Sequence, residues 1–339
     1  MKILVTGSAG FIGGYIVEEL LQAGHDVVGL DNFSKYGALT QSSLQHPRFR
    51  FLEGDAKDVA LLTDLMHDVD QVIAGAARIG GISYFHEFAY DLLAENERIT
   101  AATFDAAIAA FTNGSLKKIN VISSSMVFEN ADVWPTPEGA ERKCPPPSST
   151  YGFQKLATEY FAQGAWEQYK LPYTILRPFN CVGIGEKRAA CEREILSGNV
   201  RLAMSHVVPD LIQKVLKGQD PLHILGDGKQ VRHYTYGADL AHGIRLCVEK
   251  PDAVNQDFNL STETSTTVLQ LAEAIWKKLK PGVPFRYTSD APYHYDVQKR
   301  IPDVAKAKRV LGFQATTPLS GILDVVIPWV QQQVEYGNI

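Results

Sequence analysis

Cysteine is scarce. The 339 residues include four, Cys144, Cys181, Cys191 and Cys247, with no C-x-x-C spacing and no dense pattern. A disulfide-stapled scaffold is excluded, a reduced cytoplasmic setting is the expectation, and no metal site is expected. No apolar run approaches the length of a membrane span. There is no excess of basic charge either: 33 Lys and Arg against 38 Asp and Glu give a net charge of −5. The chain as a whole therefore has no general attraction for nucleic acid or an anionic membrane, although a local basic pocket can still form. Internal repeats and low-complexity tracts are missing, and the first strand begins at residue 2, too early for a signal peptide before it. What remains is ordinary: 45% hydrophobic and 21% charged residues, enough chain for one large α/β domain or two unequal lobes.

The first stretch carries the strongest local signal. Lys2-Ile3-Leu4-Val5-Thr6 reads as a short buried strand, and Gly7-Ser8-Ala9-Gly10-Phe11-Ile12-Gly13 follows at once. Tyr15, Ile16, Leu20 and Leu21 then recur at helical spacing up to Gly24. A strand, glycine turn and helix in that order make a phosphate cradle. Gly7 can take a backbone conformation closed to other residues, Gly10 lets a pyrophosphate approach, and Gly13 lets helix and strand pack closely. The helix start then turns free N–H groups and its positive dipole end to the anion. The next strand, Asp26 to Leu30, is closed by Asp31. An acidic side chain about 20 residues after such a turn is placed to bind an adenosine ribose and would repel a 2′-phosphate, which selects NAD over NADP. An Asp that merely caps the next turn is the competing reading.

Further strands are expected at Phe49–Glu53, Gln71–Ala74, Lys118–Ile122 and Pro172–Leu176, separated by helices that include 87–112 and 149–169. This alternation predicts an α/β fold, a doubly wound parallel sheet of Rossmann type with right-handed crossovers. The proline-bearing segment 129–148 reads as a loop over a pocket. Beyond Asn180 the alternation turns irregular, with a charged insertion at 185–201, a helix at 206–217 and apolar stripes at 240–248, 269–279 and 322–330. The expected division is a nucleotide-binding domain over 1–180, completed by excursions near 225–260, and a smaller mixed α/β substrate lobe over 181–339.

Tyr151 and Lys155 stand four residues apart, on one helix face. An ammonium near a phenol favours the phenolate, so Tyr151 is a candidate to exchange a proton with an alcohol, and Lys155 a donor to a cofactor ribose. On its own the pair is a common surface pattern. Its position after a strand that ends in Ser123-Ser124-Ser125 gives it weight, because strand ends of such a sheet border the cofactor crevice.

With these motifs in view, the chain resembles the extended short-chain dehydrogenase/reductase family of nucleotide-sugar epimerases and dehydratases over nearly its whole length. Thr6 to Gly13 matches T-G-x-x-G-x-x-G, Gly54-Asp55 the adenine-contacting Asp, and Ala76-Ala77 the pair after the fourth strand. Ser124-Ser125-Met126-Val127-Phe128 is similar to S-x-x-V-Y, Tyr151 to Lys155 matches Y-x-x-x-K, and Arg177 to Asn180 matches R-x-x-N. The resemblance implies Ser124, Tyr151 and Lys155 as catalytic residues. It implies NAD held by Gly7, Gly10, Phe11, Ile12, Gly13, Asp31, Asn32, Asp55, Ala56, Ala76, Tyr151, Lys155 and Pro178. A nucleotide-diphosphate sugar would meet Arg78, Ser124, Ser125, Asn180, His206, Val207, Arg232 and Arg300. A diphosphate wants guanidinium forks and helix N-terminal N–H groups. For Arg232 a surface ion pair with Asp227 or Asp239 competes with this role, and for His206 a helix-start or packing role.

The reaction is less determined. Family 4,6-dehydratases carry an Asp-Glu pair where this chain has Ser125 and Met126, and decarboxylases usually carry Glu at the position of Met126. Ala76 to Ile82 and Ser205 to Pro209 look like segments of GDP-fucose synthase and GDP-mannose 3,5-epimerase, which place a Cys where Met126 stands. Cys181, next to Asn180, is a candidate substitute for that Cys, and a buried structural thiol is the preferred reading. A 4-epimerase needs no further base and is the expected activity, with recycled NAD. Alternatives are a dehydratase, decarboxylase or 3,5-epimerase drawing a group from 185–201, Lys187 and Arg201 being candidates, or a non-catalytic NAD sensor. The resemblance also implies a homodimer through helices 87–112 and 149–169, where Ala101, Ala102, Ala106, Ala107, Ala109 and Ala110 permit close contact, although they could equally pack on the chain's own sheet.

Overall fold

Seven parallel strands form the centre of the molecule, a computed structural model that describes residues 1–37, 42–79, 87–186, 195–202, 206–292 and 296–339. In chain order the elements of this part are β1 (Lys2–Thr6), α1 (Phe11–Gln22), β2 (Asp26–Asp31), β3 (Phe49–Glu53), α2 (Val59–Met66) and β4 (Gln71–Ala74). Then come α3 (Ala89–Asn113), β5 (Lys118–Ile122), α4 (Thr150–Tyr169) and β6 (Tyr173–Pro178). After the helices α5 (Val207–Leu216) and α6 (Gly237–Glu249), β7 (Gln256–Leu260) adds the last strand. The sheet order is β7-β6-β5-β4-β1-β2-β3, every pair parallel. The order reverses between β1 and β4, and the crevice at that switch point is where such sheets bind ligands.

Two apolar layers close on the sheet. Ile16, Val17 and Leu20 of α1 meet Leu240, Ile244 and Cys247 of α6 on one face. Leu62, Leu65 and Met66 of α2 join Ala106, Ala107, Ala162 and Ala165 of α3 and α4 on the other. The expected α/β sandwich is therefore present, and strands β1 to β6 fall where the sequence pattern put them. The alanines of α3 divide: Ala102, Ala106, Ala107 and Ala110 are buried in the chain's own core, while Ala101 and Ala109 are half-buried.

The remaining chain builds a second apolar cluster from α5, α7 (Val268–Leu279) and α8 (Leu319–Glu335), with Leu211, Ile212, Leu271, Ile275, Trp276, Ile322 and Val326 buried. Thr267 and Gln270 start α7 with a reciprocal capping box, each side chain accepting from the other's backbone N–H. A short strand Leu222–Leu225 pairs in parallel with Tyr287–Asp290 beneath these helices. No helix among the described residues is long and apolar enough to cross a membrane.

Candidate active site

The glycine turn is built as its spacing requires. Gly7 has φ +73°, and a β-carbon there would lie 2.9 Å from the backbone of Ala76. At Gly13 a β-carbon would sit 2.0 Å from the Gly7 carbonyl oxygen, so α1 can approach β1 only without a side chain. Thr6 Oγ1 accepts from the N–H groups of Gly75 and Ala76 at 3.1 and 3.2 Å and ties the two strand exits together. Gly10 caps α1, and the first turn of α1 holds no acidic residue, which leaves its N–H groups and dipole for an anion. A dinucleotide's pyrophosphate fits this cradle. Gly13→Ala is expected to abolish retention of the cofactor through purification, read from the absorbance of the denatured supernatant; retention at the wild-type level would contradict the cradle.

Asp31 caps the next turn, as the competing sequence reading expected, and still faces the cavity. Oδ1 accepts from Phe33 N–H at 2.8 Å and caps the next turn, while Oδ2 accepts from Ala9 N–H at 3.0 Å and braces the glycine turn. Each carboxylate oxygen retains a lone pair, and Asp31 lines the cavity, so capping does not compete with ribose binding.

All the cofactor, substrate and catalytic positions expected from sequence line one cavity of about 1300 Å³ that runs from the glycine turn to the second lobe. Ser124 follows β5 by two residues and accepts from Met126 N–H at 3.2 Å, which shapes a short 3₁₀ turn over Ser125–Phe128. Tyr151 lies on the first turn of α4, 8% exposed, and shares a hydrogen bond with Ser124. Burial holds the phenol's pKa above its ordinary value, against the opposing pulls of Ser124 and the Arg300 charge. Lys155 is buried one turn further on, and its Nζ donates to the Ile122 carbonyl at 3.0 Å. Burial pushes the Lys155 pKa down to about 8, although Glu159 favours its charged form. The sequence reading gave Lys155 the task of favouring the phenolate; Arg300 is a further cation whose charge acts on Tyr151 in that direction.

The diphosphate candidates meet at the other end. Arg232 Nη2 binds Asp296 at 3.0 Å, a partner other than the Asp227 or Asp239 suggested by sequence proximity. Arg300 donates to Asn180 Oδ1 at 3.3 Å and touches Met126 Sδ at 2.8 Å; its Nε is buried without a partner among the described residues. Burial and neighbouring Arg232 both work against its charge, so an arriving anion would relieve it. Asn180 holds φ +38°, and its own Nδ2 has no partner among the described residues. His206 caps α5 through its backbone, its ring against Glu186, and Val207 begins the helix. Arg78 is placed by Asn96, whose side-chain amide accepts from Arg78 N–H at 2.7 Å and donates to its carbonyl at 2.9 Å. Burial drives the Cys181 thiol strongly up in pKa, so it stays a neutral thiol. Gly80, Gly81, Ile82, Lys187, Cys191, Ser205 and the side chain of Arg201 lie outside the described residues.

Some cavity residues carried no signal in the sequence reading. Asp296 is 64 residues from the Arg232 it binds. Lys214, which donates to His223 O at 2.9 Å, and Asp290, 2.7 Å from His223 Nδ1, line the far end. Glu129 stood only as the first residue of a loop.

Comparison with known proteins agrees with this geometry. The structure is similar to a UDP-glucose 4-epimerase from Thermotoga maritima solved with UDP-glucose, at TM-score 0.81 and 28% identity over 98% of this chain and 100% of that one. It is similar to a UDP-glucuronic acid 4-epimerase from Bacillus cereus, solved with UDP-glucuronic acid and NAD, at TM-score 0.82 and 26% identity over 98% and 99%. The sequence is also 25% identical to UDP-glucuronic acid decarboxylase 1 of Xenopus tropicalis, over 99% of this chain and 73% of that protein. A model of the NAD dependent epimerase/dehydratase family matches residues 3–261, which takes in the glycine turn, Ser124, Tyr151 and Lys155, and the chain belongs to that family.

Proposed function

We propose that the protein is a nucleotide-sugar 4-epimerase that keeps and recycles its NAD. The observation that carries this reading is the buried Ser124–Tyr151 pair, with Met126 beside it in the apolar cluster of Leu92 and Tyr151. A thioether moves no proton, so the family reactions that draw a second acid or base from that position are disfavoured, and 4-epimerisation needs none. Bound NAD supplies a hydride acceptor and donor and, when oxidised, a positive charge that favours the phenolate. Tyr151 Oη takes the proton of the sugar 4-hydroxyl while Ser124 Oγ orients that oxygen, and C4 gives up its hydride. The 4-keto sugar turns about its diphosphate link and receives hydride on the other face, and Tyr151 returns the proton to O4. Arg232, Arg300 and the start of α5 would hold the diphosphate through the turn. Homodimerisation through α3 and α4 remains part of this reading, supported by Phe153 and Tyr160, which α4 leaves exposed.

Incubation with UDP-, GDP-, CDP- and dTDP-sugars, followed by mass and NMR analysis, tests the proposal. The expected product has unchanged mass and inverted C4, with no net NADH. A product lighter by water or carbon dioxide, or stoichiometric NADH, sinks the assignment.

Lys155 adds a pH dependence. Its ammonium is present below about pH 8 and lost above. If that charge holds the cofactor, NAD affinity should fall about tenfold from pH 7 to pH 9, since only the protonated form binds well. Lys118, also pushed down to about 8 by burial, sits at the opposite end of β5 and donates to the Cys247 carbonyl. Titration of NAD into wild type and Lys155→Met therefore separates the two: the step should vanish in the variant. A step that persists there belongs to another group.

A further inference from the structure

The proline-bearing loop between the Ser124 turn and α4 leaves the site and returns to it within twenty residues, and two adjacent side chains at its start grip its end. Glu129 Oε2 accepts from Ser149 N–H at 3.0 Å and from Ser149 Oγ at 2.8 Å. Ser149 Oγ in turn accepts from Gly152 N–H at 3.0 Å and so caps the helix that carries Tyr151 and Lys155. Asn130 Nδ2 donates to the Pro146 carbonyl at 2.7 Å and to Ser148 Oγ at 3.1 Å. Gly152 closes the packing: a β-carbon there would meet Pro147 Cβ at 2.6 Å, the Met126 carbonyl oxygen at 2.8 Å and Glu129 Oε2 at 3.0 Å.

These contacts join the two elements on which the chemistry depends. Ser124 belongs to the turn after β5, and Tyr151 to the first turn of α4; between them run 26 residues of chain with no regular strand or long helix. A Ser N-cap alone fixes where a helix starts, but not where that start sits relative to another element. The Glu129 carboxylate does the second task, because it leaves the Ser124 turn directly and holds both hydrogens of Ser149. A charged acceptor makes these bonds stronger than neutral ones. A displacement of about 1 Å at a reacting group costs on the order of a hundredfold in rate.

We infer that Glu129 is a positioning residue that, through Ser149, holds Tyr151 in register with Ser124. The inference rests on the reading of Tyr151 as the proton-transfer group.

Three variants test it with the sugar nucleotide that the wild type turns over. Glu129→Ala removes the acceptor, Ser149→Ala removes the hydroxyl that joins the carboxylate to the Gly152 cap while leaving the carboxylate and its backbone bond, and Glu129→Gln keeps an amide oxygen for Ser149. The expected result is at least a tenfold loss of kcat in Glu129→Ala and Ser149→Ala. KM should stay within threefold, bound NAD should be retained, and Glu129→Gln should recover at least a third of wild-type kcat. A purely structural role would instead lower the amount of folded, NAD-loaded protein and leave kcat per loaded site unchanged, which overturns the inference. Equal loss in both Glu129 variants with Ser149→Ala unaffected also overturns it, because the carboxylate would then act on the substrate directly. A wild type that turns over no sugar nucleotide removes the underlying reading as well, and so is distinguishable from a failure of Glu129 alone.

Discussion

Tyr151→Phe is expected to lower kcat by roughly 10²–10⁴-fold while leaving NAD bound. The ring is buried beside Met126 and Leu92, and phenylalanine preserves that packing. What goes is the hydroxyl, with its hydrogen bond to Ser124 and the proton it exchanges. Burial favours the protonated phenol in the cofactor-free site, while Arg300 and Ser124 pull the other way. The acid limb of kcat/KM should therefore report the Tyr151 phenol: activity requires the phenolate and is lost as pH falls through its pKa. Arg300→Met should move that limb to higher pH. The measurement is steady-state turnover with cofactor content determined in parallel. Retained activity in Tyr151→Phe would leave the chain either an NAD-binding sensor or an enzyme using another base.

The parts of this site that were legible in the sequence are those whose physical demands are local. Gly7 and Gly13 are required by one positive φ and one close approach, and both constraints lie within seven residues. Tyr151 and Lys155 share a helix face because four residues make about one turn. Strands β1 to β6 could be read because they are apolar runs bounded by turns. β7 was not, since Gln256-Asp257-Phe258-Asn259-Leu260 opens on two polar residues, has only two apolar ones, and gains its place by pairing with β6. Side-chain direction was equally out of reach: Lys155 turns to a strand carbonyl, and Arg232 finds Asp296, through distances that no spacing rule contains. Glu129 shows the same limit. Its sequence neighbourhood signals a loop, and only the returning chain gives it Ser149 to hold.

Arg177→Met is expected to destabilise the fold by about 3–5 kcal/mol, the cost of stranding buried charges when one partner is removed. Arg177 is fully buried on β6, and its guanidinium binds Glu159 of α4 twice, at 2.8 and 2.7 Å, and Asp257 of β7 at 2.7 Å. Glu141 lies 3.3 Å away, and the guanidinium stacks over the Phe128 ring at 5.1 Å. Ser123 donates to the same Glu159 oxygen, at 2.5 Å, so the network reaches the residue before Ser124. Burial favours the protonated forms of Glu141 and Asp257; Arg177 opposes it, and with Lys306 it leaves Asp257 below the usual carboxylate range. A depressed carboxyl adds stability above its unfolded pKa and loses it as pH falls through the folded value, so this part of the wild-type stability should fade in acid, below about pH 4. In Arg177→Met the Glu141 and Asp257 carboxyls lose the charge that held their pKa values down, and the deficit against wild type should shrink as the pH is lowered. Adding Glu159→Gln to Arg177→Met should recover part of the loss, because one uncompensated charge is then gone. Urea denaturation of wild type, both single variants and the double variant at pH 7 and pH 4 reads all of this. A single-variant loss below 1 kcal/mol at pH 7 would mean that water enters the network and solvates it, and that the sheet, not Arg177, holds β5, β6 and β7 in place around the site.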